Sequence, residues 1–209
     1  MDYEFIKNES GVPFLELDLN FPYEIAMQEI LQIPRDMFIV HRNKISKNWF
    51  QFVIFGQKYN NTHVSWHPNN SNFTQEALEF MPKTVEWFEK FYPSNKLSGI
   101  KLALLAPNGK IDKHRDRSRN GKPGLQIGNR STVNIAVNNP AGAEFFIVDT
   151  IIPFKAGSCM FIDFGQEHYL TNTSEFDRFH ILVGQDDETE EFRHLVEESY
   201  KKYEYSNSK

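Results

Sequence analysis

The chain has a single cysteine, Cys159, in 209 residues, so no internal disulfide can close and no thiolate zinc site can be built. It also lacks a surplus of positive charge. Its 23 Lys and Arg against 28 Asp and Glu leave a formal charge of −5, which disfavours a general nucleic-acid binder held by bulk charge. No apolar run approaches the ~20 residues that a membrane-spanning helix needs. The opening MDYEFIKNES is acidic and polar with no apolar stretch behind it, so no secretory signal is read there. Sequons such as Asn129-Arg130-Ser131 are accordingly expected to stay unmodified. There is no internal repeat and no low-complexity block. These absences lead to the expectation of a soluble protein in a reducing, cytoplasmic compartment, with residues 1–209 as one domain.

What the chain has in quantity is aromatic. Rings make up 14% of it, 19 of them Phe, which suits a β-sandwich or barrel lined with large side chains. Residues 22–33 space their apolar positions as a helix face, and Pro34 ends it. Residues 49–56, WFQFVIFG, read as a strand. Residues 74–92 read as helix, with Pro82 forcing a kink or a division into two. From Ser98 the texture changes to six short runs with partial period-2 alternation, separated by Pro-Asn-Gly, Asn-Asn-Pro, Lys-Ala-Gly and Asn-Thr-Ser turns. That succession predicts an antiparallel barrel or jelly roll. The expected division is flanking helices and strands over 1–97, a jelly-roll core over 98–184, and a C-terminal helix over 185–209.

Two histidines and one aspartate stand out. In KIDKHRD, His114 and Asp116 are two apart, so on an extended backbone both side chains reach the same side. His168 follows the run SCMFIDF and a Gly165-Gln166-Glu167 turn, 52 residues after Asp116. Two imidazoles and one carboxylate make the facial triad that leaves open positions on Fe(II). Arg178 comes ten residues after His168, at the start of the apolar run RFHILVG. A hairpin through Asn172-Thr173-Ser174 would return Arg178 beside the metal. An inward guanidinium needs an anion. That anion is either a dicarboxylate that also chelates the iron or a structural carboxylate such as Asp163 or Asp177.

Three stretches together resemble the 2-oxoglutarate/Fe(II) dioxygenases, and within them the aspartyl/asparaginyl β-hydroxylase group with its proline-hydroxylase-like members. They are LALLAPNGKIDKHRD, NRSTVNIAVNNP and GSCMFIDFGQEHYLTNTSEFDRFHILV, set within a span of about eighty residues from Leu102 to Gly184. The resemblance implies a double-stranded β-helix, a cupin-like jelly roll that is mainly β with flanking α-helices. It implies Fe(II) on His114, Asp116 and His168, and the 5-carboxylate of 2-oxoglutarate on Arg178. It also implies contacts from Arg130 and Asn134 to 2-oxoglutarate or substrate. Some members of the group have Gly in place of the ligating Asp, whereas here Asp116 is present. The implied activity is hydroxylation, with dioxygen, of a free or peptidyl amino acid, releasing succinate and CO2.

The rival reading is a cupin-like module that holds a metal or ligand without turnover. His63 and His67 have i,i+4 spacing, but no Glu follows His63 as a zincin helix requires. Lys113, Arg115, Arg117, Arg119 and Lys122 form a basic loop, either solvated or a mouth for an anionic substrate, which Trp49, Gln51 and Trp66 could also line. Cys159 reads as a small core residue. His180 alternates with Arg178 and could face the same interior.

Overall fold

A computed structural model describes residues 13–40, 45–59, 63–65, 72–93, 97–116, 131–185 and 189–207. In chain order its elements are β1 (Phe14–Glu16), α1 (Tyr23–Ile30), β2 (Ile39–Val40), β3 (Ser46–Phe55), β4 (Gln57–Tyr59), β5 (His63–Ser65), α2 (Gln75–Phe80), α3 (Pro82–Phe91), β6 (Leu97–His114), β7 (Ser131–Ala136), β8 (Ala143–Ile147), β9 (Thr150–Ile151), β10 (Cys159–Ile162), β11 (His168–Asn172), β12 (Arg178–Gln185) and α4 (Glu190–Asn207).

The strands form one curled antiparallel sheet in the order β1-β10-β7-β12-β6-β11-β8-β9, with β3 on the other edge of β6, and β4-β5 make a separate pair. This is the expected jelly roll. The central strand differs from its reading in sequence. Pro107-Asn108-Gly109 does not reverse the chain, and β6 runs through it for 18 residues. Its first part, Leu97–Leu105, pairs with β12, and its second part, Gly109–His114, pairs with β11. The turn residues act as a bend that carries one strand between two walls.

The bend has visible causes. Asn108 takes a left-handed φ of 57°, and a Cβ on Gly109 would stand 2.6 Å from the Ala106 carbonyl oxygen, so only glycine fits. Across the pair, β3 shifts register between Lys47 and Trp49, and left-handed Asn48 donates from Nδ2 to the Pro107 carbonyl at 3.0 Å. Buried Asn172 donates from Nδ2 to the carbonyls of Leu105 and Phe176, both at 2.8 Å. It ties the end of β11 to β6 at the bend.

The segment after Asn172 is likewise no hairpin. β11 and β12 do not pair with each other, and each pairs with β6, one after the other along the same edge. His168 stands opposite His114, far from the bend, and Arg178 stands opposite Leu105, next to it.

Both faces of β6 are buried in its first part, which is why its alternation is only partial in sequence. Ile100, Leu102 and Leu104 face a helix-covered core with Ala26, Met81, Phe88, Phe192 and Val196. Leu105 and Ile111 face a second core between the walls, with Phe145, Met160 and Leu170. Residues 74–92 divide into two helices at Pro82, which begins α3. Thr74 caps α2 by accepting from the Ala77 N–H at 3.1 Å. The first turn of α3 is capped from α1, where the Glu29 carboxylate accepts from the N–H groups of Lys83 and Thr84 and from the Thr84 hydroxyl.

Asn172→Ala strips the buried Leu105 carbonyl of its side-chain donor, while the Phe176 carbonyl keeps the Ser174 hydroxyl. A buried acceptor left unsatisfied costs about 1–3 kcal/mol. Urea unfolding should therefore show a loss of about 1–3 kcal/mol, and a loss under about 0.5 kcal/mol would mean that other contacts hold the bend.

Candidate active site

The register between β6 and β11 puts His114 and His168 side by side, with ring centroids 4.2 Å apart. Asp116 lies just past the strand, where its N–H donates to the Phe164 carbonyl at 2.9 Å. Its Oδ1 is 3.7 Å from His114 Nε2. One ligand atom from each of the three falls within 4.8 Å of the others.

Both imidazoles are oriented in the same way. His114 Nδ1 is 2.8 Å from the Asp112 carbonyl and His168 Nδ1 is 2.9 Å from the Gln166 carbonyl. A carbonyl only accepts, so each Nδ1 carries the proton and each Nε2 keeps a lone pair for a metal. Burial holds the His168 pKa below the ordinary imidazole range, so this ring is neutral and ready to ligate. Asp163 shapes the turn that delivers it, accepting from Gly165 N–H at 3.0 Å and from Gln166 Nε2 at 3.1 Å. Phe164 and Phe145 pack against the His168 ring. This donor set suits a divalent ion that takes imidazole and carboxylate.

The three residues line a cavity of about 310 Å³ whose walls come from both parts of β6, from β3, β7 and β12. Arg178 lines it too, and is 2% exposed. Its Nε donates to Asn139 Oδ1 at 3.1 Å, its Nη2 lies 3.0 Å from His180 Nδ1, and its guanidinium lies over the Phe154 ring at 5.7 Å. Every one of these partners is neutral. The two carboxylates that could have served it are engaged elsewhere, Asp163 in its own turn and Asp177 with Arg35 at 2.7 Å. Among the described residues no ion pair reaches Arg178, and burial pulls its pKa down to about 9. A buried cation with neutral partners beside a cavity is suited to receive an anion.

Asn134 lines the same cavity, and its Oδ1 lies 2.6 Å from His180 Nδ1. His180 Nδ1 thus lies between the two, donating to the Asn134 amide oxygen when it carries the proton and accepting from Arg178 when it does not. Burial and the neighbouring Arg178 hold the His180 pKa well below 6.5. Arg130 lies outside the described residues, as do His41, Trp66, His67, Arg117, Arg119 and Lys122 and the side chain of His63. Lys113 faces away from the cavity. It pairs with Asp149 and Glu167, both at 3.3 Å, and sits over the Tyr169 ring. Cys159 is buried and its thiol is pushed up to about 12, as a core residue. Trp49 and Gln51 do line the cavity. So does Lys101, which the sequence reading passed over, although a lysine inside GIKLALLAP is the one polar break in that run.

The sequence model of the family described as aspartyl/asparaginyl beta-hydroxylase matches residues 23–186. No curated protein matches the chain in sequence. Among solved structures, an oxidoreductase of the 2OG-Fe(II) oxygenase family from Burkholderia pseudomallei aligns with a TM-score of 0.53 at 11% identity, covering 91% of this chain and 92% of its own. SnoK, a non-heme alpha-ketoglutarate-dependent carbocyclase from nogalamycin biosynthesis, aligns with a TM-score of 0.52 at 13% identity, covering 89% of this chain and 84% of its own. At these identities the likeness is one of fold.

Two outcomes follow from this geometry. His168→Ala removes one of three donors and should abolish retention of Fe(II) or Mn(II) through desalting, read by metal analysis. Retention equal to the parent's would place the metal elsewhere. The second concerns acid stability. The unfolded chain protonates His180 below about pH 6.5 and the folded chain does not, so stability is present above that pH and lost as pH falls, by up to ~1.4 kcal/mol per unit. His180→Gln should lower the slope of unfolding free energy between pH 6.5 and 5. Equal slopes in parent and variant would show that this ring is not held neutral.

Proposed function

The chain belongs to the aspartyl/asparaginyl beta-hydroxylase family, and from that membership we propose that it is an Fe(II), 2-oxoglutarate-dependent oxygenase that hydroxylates an amino acid, free or within a polypeptide, releasing succinate and CO2. One observation carries the reading. A His/Asp/His cluster and a buried guanidinium with neutral partners face the same cavity. A protein that only stores metal has no use for that cation, which counts against the cupin-like binding module.

His114, Asp116 and His168 would hold the iron, each through one atom, leaving positions open for cosubstrate and dioxygen. Bound there, Fe(II) supplies the dioxygen chemistry that side chains lack. The chain's own residues bind and orient. Arg178 offers a planar, two-pronged donor to the distal carboxylate of 2-oxoglutarate. Asn139 and His180 keep the fork in place from either end. Phe145, Phe154 and Phe164 keep the chamber poor in water, which strengthens the ion pair and protects reactive species from quenching. Asn134 reaches the cosubstrate site through His180, and Arg130 is proposed as a further contact to 2-oxoglutarate or substrate.

Arg178→Met should leave metal content nearly intact and weaken 2-oxoglutarate binding by about 2–5 kcal/mol, roughly 30-fold to several thousand-fold. Arg178→Lys keeps the charge but loses the fork and should fall between. Metal analysis and calorimetric titration on the same preparations check this. A Met variant that binds 2-oxoglutarate as well as the parent would sink the cosubstrate assignment. Succinate released during a screen of amino-acid substrates tests turnover itself.

A further inference from the structure

One nitrogen in the cavity wall has two neighbours that ask opposite things of it. His180 is fully buried, and its Nδ1 lies 3.0 Å from Arg178 Nη2 and 2.6 Å from Asn134 Oδ1. A guanidinium nitrogen only donates and an amide oxygen only accepts. A ring nitrogen offers either a lone pair or an N–H, so Nδ1 cannot serve both as they stand. The other ring nitrogen gives no relief, because Nε2 is buried and makes no hydrogen bond with a described residue. Around the ring stand Phe154, edge-on at 4.6 Å, Ala103 and Ala136 on the adjoining strands, and the Asn138 backbone.

Strand register sets this arrangement. Arg178 and His180 are two apart on β12 and both line the cavity, while Asn134 enters from β7, opposite Leu182. Arg178 has its Nε on Asn139, so a carboxylate from the cavity meets the Nη1 and Nη2 edge. Nη2 is the nitrogen beside His180, so the incoming charge arrives on the Nδ1 side of the ring. Before that, a lone positive neighbour at 3.0 Å favours a lone pair on Nδ1 and the proton on Nε2. The Asn134 amide then presents its NH2, which has nearly the shape of its oxygen. A carboxylate at Arg178 offsets the positive field, and Nδ1 becomes the better place for the proton, donating to the Asn134 oxygen. One N–H bond breaks at Nε2 and one forms at Nδ1, by way of water, so the ring stays neutral.

We propose that His180 and Asn134 are positioning residues for the cosubstrate, a relay in which the ring accepts from Arg178 before a carboxylate binds and donates to Asn134 afterwards. The relay rests on the oxygenase reading only for the identity of that carboxylate. It has Asn134 act through the ring and not by touching the ligand.

The test uses the full chain with 15N-labelled histidine, loaded with Zn(II) in place of Fe(II). Two-bond proton–nitrogen correlations report which nitrogen of each ring carries the proton, and His180→Phe identifies the His180 signals by their loss. The proton should be on Nε2 in the parent alone. It should be on Nδ1 after saturation with 2-oxoglutarate, or with glutarate, which keeps both carboxylates and lacks the keto group that chelates a metal. Asn134→Leu should weaken 2-oxoglutarate binding by about 3- to 10-fold, the net worth of one hydrogen bond. In a His180→Phe background the same change should cost nothing further. Should Asn134→Leu fail to fold, the spectra of the parent still decide. A proton that stays on one nitrogen through saturation overturns the relay, and so does a ring that becomes doubly protonated. Equal losses from Asn134→Leu with and without His180 give Asn134 a direct contact and overturn it too. A parent that shifts its proton with glutarate but takes up no 2-oxoglutarate supports the relay and refutes the oxygenase reading. A parent that binds neither acid overturns both.

Discussion

The site depends on where β6 bends. Without the left-handed Asn108 and the close approach of Gly109 to Ala106, an 18-residue strand would run straight and expose one face along its whole length. With the bend, residues 97–105 and 109–114 pair with different strands and both line one chamber. The partners of β6 inherit that division. β11 follows the far part and brings His168 to His114, while β12 follows the near part and brings Arg178 to Leu105. Asn172 sits at the junction with its amide shared between Leu105 and Phe176, so the same side chain holds the bend and separates the two functional ends.

The chamber's charge opposes that of the chain. A protein of net charge −5 lines its cavity with Arg178 and Lys101, and Asp116 is the one carboxylate among the described lining residues. In a low-dielectric interior such cations attract far more strongly than on the surface, where Lys113, Lys110 and Arg35 are neutralised by neighbouring carboxylates. Charge is thus sorted by depth. The described surface pairs are balanced, and in the interior Arg178 sits among neutral partners.

Much of this was legible in the sequence, for physical reasons that also explain what was not. The His-x-Asp spacing that sets His114 and Asp116 on one side of extended backbone is a local property, and the structure keeps them close although β6 ends at His114. Pro82 divides a helical stretch because it lacks an N–H, again locally. The continuous β6 was not legible, because Pro-Asn-Gly is equally good as a reversal and as a bulge, and only the pairing of both flanks with different strands decides between them. The same holds for Asn172-Thr173-Ser174, read as a hairpin and found as a step between two strands on one edge. Lys101 was hidden by its surroundings. In an apolar run buried on both faces there is no solvent side, so a lone lysine there points to a lined cavity, an inference that needs the helix-covered core on the opposite face to be known.

The free protein bears a cost at this site that a ligand relieves. Arg178 sits among an amide, an imidazole and a ring, and burial pulls its pKa down to about 9 because these neutral groups replace water poorly. His180 is held neutral first by its own burial and then by Arg178, since a second positive charge next to the guanidinium would be repelled. A carboxylate that arrives at Arg178 therefore gains more than it would at an exposed arginine, because the protein has already given up the solvation of its partner. Ligand binding and fold stability are coupled through that one group. Occupancy at a hundred times the dissociation constant adds about 2.7 kcal/mol to the folded state, and that gain should fall away when the guanidinium is replaced even though the His114/Asp116/His168 cluster, on the other part of β6, is left whole.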